Sequence, residues 1–452
     1  MKKYYLLIIS IFFIPLLLSA QSVDKVNSLL DRWNENQEFM GEILIMQNTE
    51  PLLHRHLGYR NVDKEMPHDV ASTFAIGAIS QTFTAALVMM AVEEKKLSLE
   101  TTIDQFLPKL PNSNQITVRH LLEHRSGLPD YKEHLPVYQN PSIATTPARL
   151  ISPLETAATA FPPGQRHQQV DTNYLILTYI LEEVYGKDYQ NLLEEKIAGP
   201  NELSNTFLTA VSTTKLRSKS TGHQMLGRDL RPMPSTHPLF TAGAGGINST
   251  ALDLGRFFRA LYHEGLLSGP SLESMKPTAS GDRYGRGLAE YTVMDRRAIG
   301  HKGSGNGFQS AMLYFPDEGV TMVALMNRTA LNFDEMITDL AGAYFGVSAA
   351  PVIEEETAPA GAATPAPMAK PATAEITGTY AFNPKLKITI FREGGELKAR
   401  TANQAPTILE KQSEHLYKIK GTEGKIRFVA EEGAVTHLIF EQMGYEQKAV
   451  KE

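Results

Sequence analysis

Four short patterns in this chain hold residue types that could do chemistry. Ser212-Thr213-Thr214-Lys215 sets a hydroxyl three residues before an amine, and on a helix such positions share a face, so the amine could activate the hydroxyl as a nucleophile. His120-Leu121-Leu122-Glu123-His124 has the inverted zinc-protease spacing H-x-x-E-H, with two imidazoles one helical turn apart that could share a metal. His54 and His56 alternate on an apparent strand. The fourth is residues 74–90, FAIGAISQTFTAALVMM, where Gly77 marks a turn and a long helical run begins at Ala78. Its first turn holds Ala78, Ser80 and Gln81. A helix start offers unpaired N–H groups and a positive dipole end, which together stabilise a developing anion, so a nucleophile would be well placed there.

The first three patterns carry less than their spelling suggests. Ser212 to Lys215 lies in a polar Ser/Thr/Lys stretch without an apolar helical run, and reads as surface. The histidine pair at 120 and 124 has no evident third ligand downstream, and His54 and His56 read as solvated, so no metal is expected. Ser80 has Phe83, not a base, three residues on. It also falls about 200° around the helix from Ala78, which makes it a structural or capping residue.

Composition narrows the classes of function. The chain has no cysteine, which excludes disulfides, thiolate catalysis and lipid attachment through a thiol. With 44 Lys and Arg against 50 Asp and Glu and no basic stripe, nucleic acid is not an expected partner. Lys2 and Lys3 precede the apolar run 6–18 and then Ser19-Ala20-Gln21, the form of a secretory signal cleaved after residue 20. Its loss would take the formal charge from −6 to −8 and leave no membrane-spanning segment; the expected location is periplasmic or extracellular.

The elements that must position these residues follow from periodicity. Apolar spacing predicts helices over 23–34, 116–124, 173–185, 249–263 and 333–345. Strands are expected at 39–46, 51–58, 288–294, 310–315 and 320–326. Strands at both ends with helices between them imply an α+β domain over 21–348, with one antiparallel sheet built from both ends and helices packed on it. Residues 349–373, rich in Ala and Pro, read as a linker. Alternating runs such as KLKITIF and KIRFVA make 374–452 a small all-β sheet or barrel-like module.

Taken in order, FAIGAISQTFTAA, KLSLETTIDQFLPKLP, ITVRHLLEHRSGLPDY, FPPGQ, AGAGGINSTALDLGRFF and GHKGSGNGFQS resemble the serine β-lactamase and penicillin-binding-protein family, in its class C and DD-peptidase-like branch. The resemblance covers about residues 40–330 and implies the β-lactamase/transpeptidase-like fold. The family's chemistry rests on S-x-x-K, in which Ser accepts the acyl group and Lys serves it as base. Here those positions hold Ala78 and Gln81. The Tyr-x-Asn motif falls at Gln169-Val170-Asp171, without the phenol and with Asp for Asn. The third motif survives as His301-Lys302-Gly303, followed by Ser304. In the family that strand aligns substrate, and the N–H groups at the positions of Ala78 and Ser304 form the oxyanion hole.

The resemblance therefore implies a pseudo-hydrolase without cofactor. Its substrate-side residues would be Ala78, Asp171, His301, Gly303 and Ser304, and its ligand a cell-wall peptide, another small acyl compound or a protein. Two alternatives stand beside it. One is an active hydrolase using Ser304 with His301 or Lys302, or the 120/124 histidine pair. The other is a structural or interaction protein acting through the β-module.

Overall fold

A computed structural model of the chain describes residues 22–134, 145–208, 218–226, 229–277, 283–329, 333–346 and most of 376–451. The expected signal segment at 1–20, the linker at 349–373 and the Ser212–Lys215 pattern lie outside the described residues.

Six strands make the main sheet: β1 (Gly41–Gln47), β2 (Glu50–Leu57), β3 (Ala289–Val293), β4 (Arg296–Gly305), β5 (Phe308–Phe315) and β6 (Val320–Met326). Their order is β2-β1-β6-β5-β4-β3, antiparallel throughout. The sheet thus joins strands from both ends of the domain, as the sequence predicts. Alternation along β1 divides the core. Ile43 and Ile45 face one apolar cluster, which also holds Val26, Leu30 and Trp33 from α1 (residues 22–35) and Phe333, Ile337 and Leu340 from α6 (Phe333–Phe345). Leu44 and Met46 face the other, larger cluster. A strand buried on both faces needs no polar side, which is why β6 reads as the unbroken run VTMVALM.

The larger cluster surrounds α2 (Ser80–Glu93), where every side chain from Ser80 to Met89 is buried. A helix enclosed on all sides must satisfy its polar side chains internally. Thr82 donates to the Gly287 carbonyl at 2.7 Å, and Thr84 donates to that of Gly243 at 2.7 Å. Phe83 stacks on Phe257 with ring centroids 3.7 Å apart, which ties α2 to α5 (Ala251–Tyr262). On another side lies α4 (Asp171–Tyr185).

Two local expectations change, and a third element holds despite its composition. The α-helix begins at Ser80, preceded by a 3₁₀ turn at Gly77–Ile79, so Ala78 lies in the turn that feeds the helix. The helix expected over 116–124 is only α3 (Val118–Leu122), and His124 beyond it takes φ +52. Strand β4, with glycines at 300, 303 and 305 and cations at 296, 297 and 302, runs for ten residues; cross-strand pairing with β5 overrides its weak strand propensity.

Contacts divide the chain into two compact units, Met1–Pro351 and Val352–Glu452. The second is a closed antiparallel barrel of eight strands, from β7 (Gly378–Asn383) to β14 (Tyr445–Lys451). It closes where Tyr380 pairs with Lys451 and Ala381 with Val450. Its interior holds Tyr380, Ile390, Ile426, Phe428 and Leu438. Among the described residues, no helix is long and apolar enough to cross a membrane.

Candidate functional site

Two pieces of backbone meet at the start of α2. Gly77 takes φ +52, and a Cβ there would stand 2.8 Å from the Ser304 nitrogen. A Cβ on Gly303 would stand 2.2 Å from the Ile76 oxygen and 2.8 Å from the Ala78 nitrogen. The 303–304 stretch of β4 therefore lies directly against the 76–78 turn, at a separation only glycine permits. Ser310 on β5 bridges them by donating to the Ile76 carbonyl at 2.8 Å. Strand β3 pairs with β4 only as far as Gly300, so residues 301–305 extend beyond it. Ser80 is buried, and its Oγ accepts from the Ile247 N–H at 3.2 Å, a structural role.

Below this seam Gln81 holds a saturated amide. Its Nε2 donates to the Ala244 carbonyl at 3.3 Å and to Asp171 Oδ1 at 3.4 Å. Its Oε1 accepts from Tyr284 O–H at 3.1 Å and from His124 Nε2 at 3.1 Å. An amide has two donors and two acceptor sites, and all are taken. Neighbouring bonds fix the direction of this network. Ser126 donates to Asn173 Oδ1 at 2.6 Å, so Asn173 turns its NH₂ to His124 Nδ1 at 3.0 Å, and the Val170 N–H approaches the same nitrogen at 3.4 Å. With Nδ1 accepting, His124 carries its proton on Nε2 and donates to Gln81. Gln81→Met keeps the length and removes every bond. It would strand the His124 N–H and the Ala244 carbonyl in a buried site, for an expected loss of about 3 kcal/mol in urea unfolding. A loss under about 1 kcal/mol would mean the network contributes nothing to stability.

The surroundings are mostly neutral. Burial holds His301 down to about 4 and His124 well below the ordinary imidazole value. Burial also pushes the Tyr284 phenol well above its usual value, so it stays protonated. His301 Nδ1 donates to the Lys302 carbonyl at 2.7 Å, which leaves Nε2 facing Tyr284 O–H at 3.4 Å. The charged members are Asp171, in the first turn of α4, and Lys132, whose ammonium pairs with Asp171 Oδ2. A carboxylate at a helix N-terminus gains from the dipole as well.

The structure thus brings together Ala78, Gln81, Asp171, His301, Gly303 and Ser304. Gln169 is exposed, two residues ahead of α4. The residues that sequence reasoning did not place here are His124, Tyr284, Tyr174 and Lys132. His124 drew notice only for H-x-x-E-H, a grouping the fold takes apart: the His120 ring accepts from the Thr117 N–H, Glu123 pairs with Arg286 at 2.7 Å, and His124 turns to Gln81. Nor do the partners of an alternative Ser304 nucleophile aim at it. Lys302 pairs with Asp334 at 2.7 Å and lies over the Tyr291 ring, while His301 is held by Lys302 and Tyr284. Ser304 itself is exposed. The expectation that His54 and His56 are solvated also changes: both Nε2 atoms are buried and turn toward Glu42.

A sheet built from both ends of the domain, a buried helix with its start against the part of β4 that extends past β3, and a closed barrel in the second unit define a β-lactamase-like α+β fold of the serine-hydrolase type. The Beta-lactamase family model matches residues 35–344, and the chain belongs to that family. It is 24% identical over 457 residues to penicillin-binding protein 4* of Bacillus subtilis (strain 168), covering 94% of this chain and 98% of that one. It is 25% identical over 311 residues to the teichoic acid D-alanine hydrolase of Staphylococcus aureus (strain MRSA252), covering 67% and 74%. Among solved structures, the octameric penicillin-binding protein homologue from Pyrococcus abyssi aligns with a TM-score of 0.64 at 22% identity, over 94% of this chain and 99% of that one. This chain is related to the hydrolases of the β-lactamase and penicillin-binding-protein group.

Proposed function

We propose that this chain is an exported pseudo-hydrolase that binds a cell-wall peptide or a related small acyl compound and does not form an acyl-enzyme. The observation that carries this reading is the saturated Gln81 amide beside the Ala78 methyl. A serine needs a base within hydrogen-bond reach to attack an acyl group, and here neither the hydroxyl nor the base is present. The buried histidines nearby are neutral; both ring nitrogens of His124 are committed, and His301 is held through Nδ1 by the Lys302 carbonyl. The seam between residues 76–78 and 303–304 supports retained binding, because backbone donors do not depend on side-chain identity. The names of the two curated relatives, a penicillin-binding protein and a D-alanine hydrolase, support an acyl ligand carrying a D-amino acid or its analogue. Incubation with a fluorescent penicillin followed by intact-mass measurement tests the proposal. The expected mass is that of the unmodified chain; a penicilloyl increment would overturn it. Fractionation of expressing cells tests export, and retention of the full-length chain in the cytosol would sink that part.

A further inference from the structure

A second cluster lies on the main sheet, on strands that the acyl-transfer motifs do not use. Glu42 on β1 is fully buried. The register sets Glu42 opposite His56 and Leu44 opposite His54, so in this antiparallel pair all three polar side chains project from one face. Glu42 Oε2 accepts from the N–H of Ala251, the first residue of α5, at 2.8 Å. Its other oxygen, Oε1, is buried without a hydrogen-bond partner, and so are Nε2 of His54 and Nε2 of His56. These donors converge: His56 Nε2 is 3.6 Å from Glu42 Oε1, His54 Nε2 is 3.8 Å from Glu42 Oε2, and all lie within 4.8 Å of one another.

Hydrogen bonding does not account for the arrangement, because 3.6–3.8 Å is too long for an N–H···O bond. A buried carboxylate oxygen without a partner is costly, and two ring nitrogens aimed at it share the same deficit. A cation at the point of convergence would satisfy all three. Ligand atoms bonded to zinc at about 2.0–2.2 Å stand roughly 3.3 Å apart in a tetrahedron, so the donor atoms, which lie within 4.8 Å of one another, would draw together on the ion by up to about 1.5 Å. The second shell is partly built, since the Ala251 N–H already orients the carboxylate.

We propose that Glu42, His54 and His56 bind one divalent transition-metal ion of the zinc class, with two imidazole nitrogens and one carboxylate oxygen as ligands. That donor set suits Zn²⁺ or Co²⁺ and is too nitrogen-rich for Mg²⁺ or Ca²⁺. The two histidine side chains are each 19% exposed, which leaves a route for the ion and for a water in the remaining position. The ion would pin the β1–β2 hairpin to the start of α5. This inference does not depend on the acylation reading.

The full-length protein, dialysed against chelator, would be titrated with Co²⁺ and then with Zn²⁺. The expected result is one equivalent bound per chain, a visible absorption from tetrahedral Co²⁺ that Zn²⁺ bleaches, and a raised Tm with Zn²⁺. His56→Gln should weaken binding at least about 100-fold. His54→Gln should do the same. Glu42→Gln, which can still accept from Ala251, checks the carboxylate, and its Tm should no longer respond to Zn²⁺. His263→Gln, on an exposed residue away from the cluster, should bind as the parent does. Absence of a one-equivalent site in the folded parent, or equal binding by the His54 and His56 variants, would overturn the proposal.

Discussion

Ala78→Ser combined with Gln81→Lys is expected to give a chain that slowly acquires a penicilloyl adduct, where the proposed reading expects none for the parent. The hydroxyl would sit in the 3₁₀ turn against the Ser304 backbone, and the amine would enter a site with acceptors already aimed at it, Asp171 Oδ1 and the Ala244 carbonyl. Two features keep the gain small. His124 presents an N–H to position 81, because its other nitrogen is committed to Asn173, and an ammonium cannot use that group. Gln169 supplies no phenol, and a missing acid–base group typically costs about 10²–10⁴-fold. A time course of intact mass is the measurement, with each single variant expected to stay blank. A folded double variant with no adduct would show that the seam does not hold an acyl group in reach.

The largest expected effect on stability is at Gly303. A valine there must place Cβ where Ile76 O, Ser310 Oγ and Ala78 N already stand, at 2.2, 2.7 and 2.8 Å. Two of those atoms are backbone and cannot swing away, so β4 would have to separate from the 76–78 turn. The expected loss for Gly303→Val is about 4 kcal/mol or more, enough to threaten folding, with Gly303→Ala measurable by urea unfolding at about 2–3 kcal/mol. Gly269→Ala, where nothing lies within 4 Å of the new Cβ, is the control and should stay within about 0.5 kcal/mol. Equal stability of the two alanine variants would mean that β4 and the turn are not in the close contact described.

How much of this was legible in the chain depended on the range of the interaction. The run VTMVALM and the helix at 333–345 match their elements end to end, because local periodicity and burial agree there. The positions that the family resemblance gives to the acylating pair are read directly from two side chains, Ala78 and Gln81. The neighbours of Gln81 are not. Tyr284 is 203 residues away and carries no local signal; only β4 and the segment before β3 bring it in. The helix expected to run through His124 ends at Leu122, and because His124 takes a left-handed conformation its turn toward Gln81 could not be read from helical spacing. Alternation along each strand foretold the β-module, but its closure rests on pairing Tyr380 with Lys451, which no local pattern encodes. The histidines of β2 looked solvated because strand alternation does not say which face is buried; the answer lay across the sheet at Glu42.

The one-way run of donors from Ser126 through Asn173 and His124 to Gln81 bears on how this site can change over generations. A lone Gln81→Lys would set a cation against the His124 N–H and lose two bonds without gaining a nucleophile. A lone Ala78→Ser would gain a hydroxyl with no base. On the proposed reading, each first step back toward acylation brings no activity, and one of them brings a structural penalty. The hydrogen-bond chain then acts as a ratchet: once the amide is seated, drift can refine a non-acylating site far more readily than it can restore an acylating one.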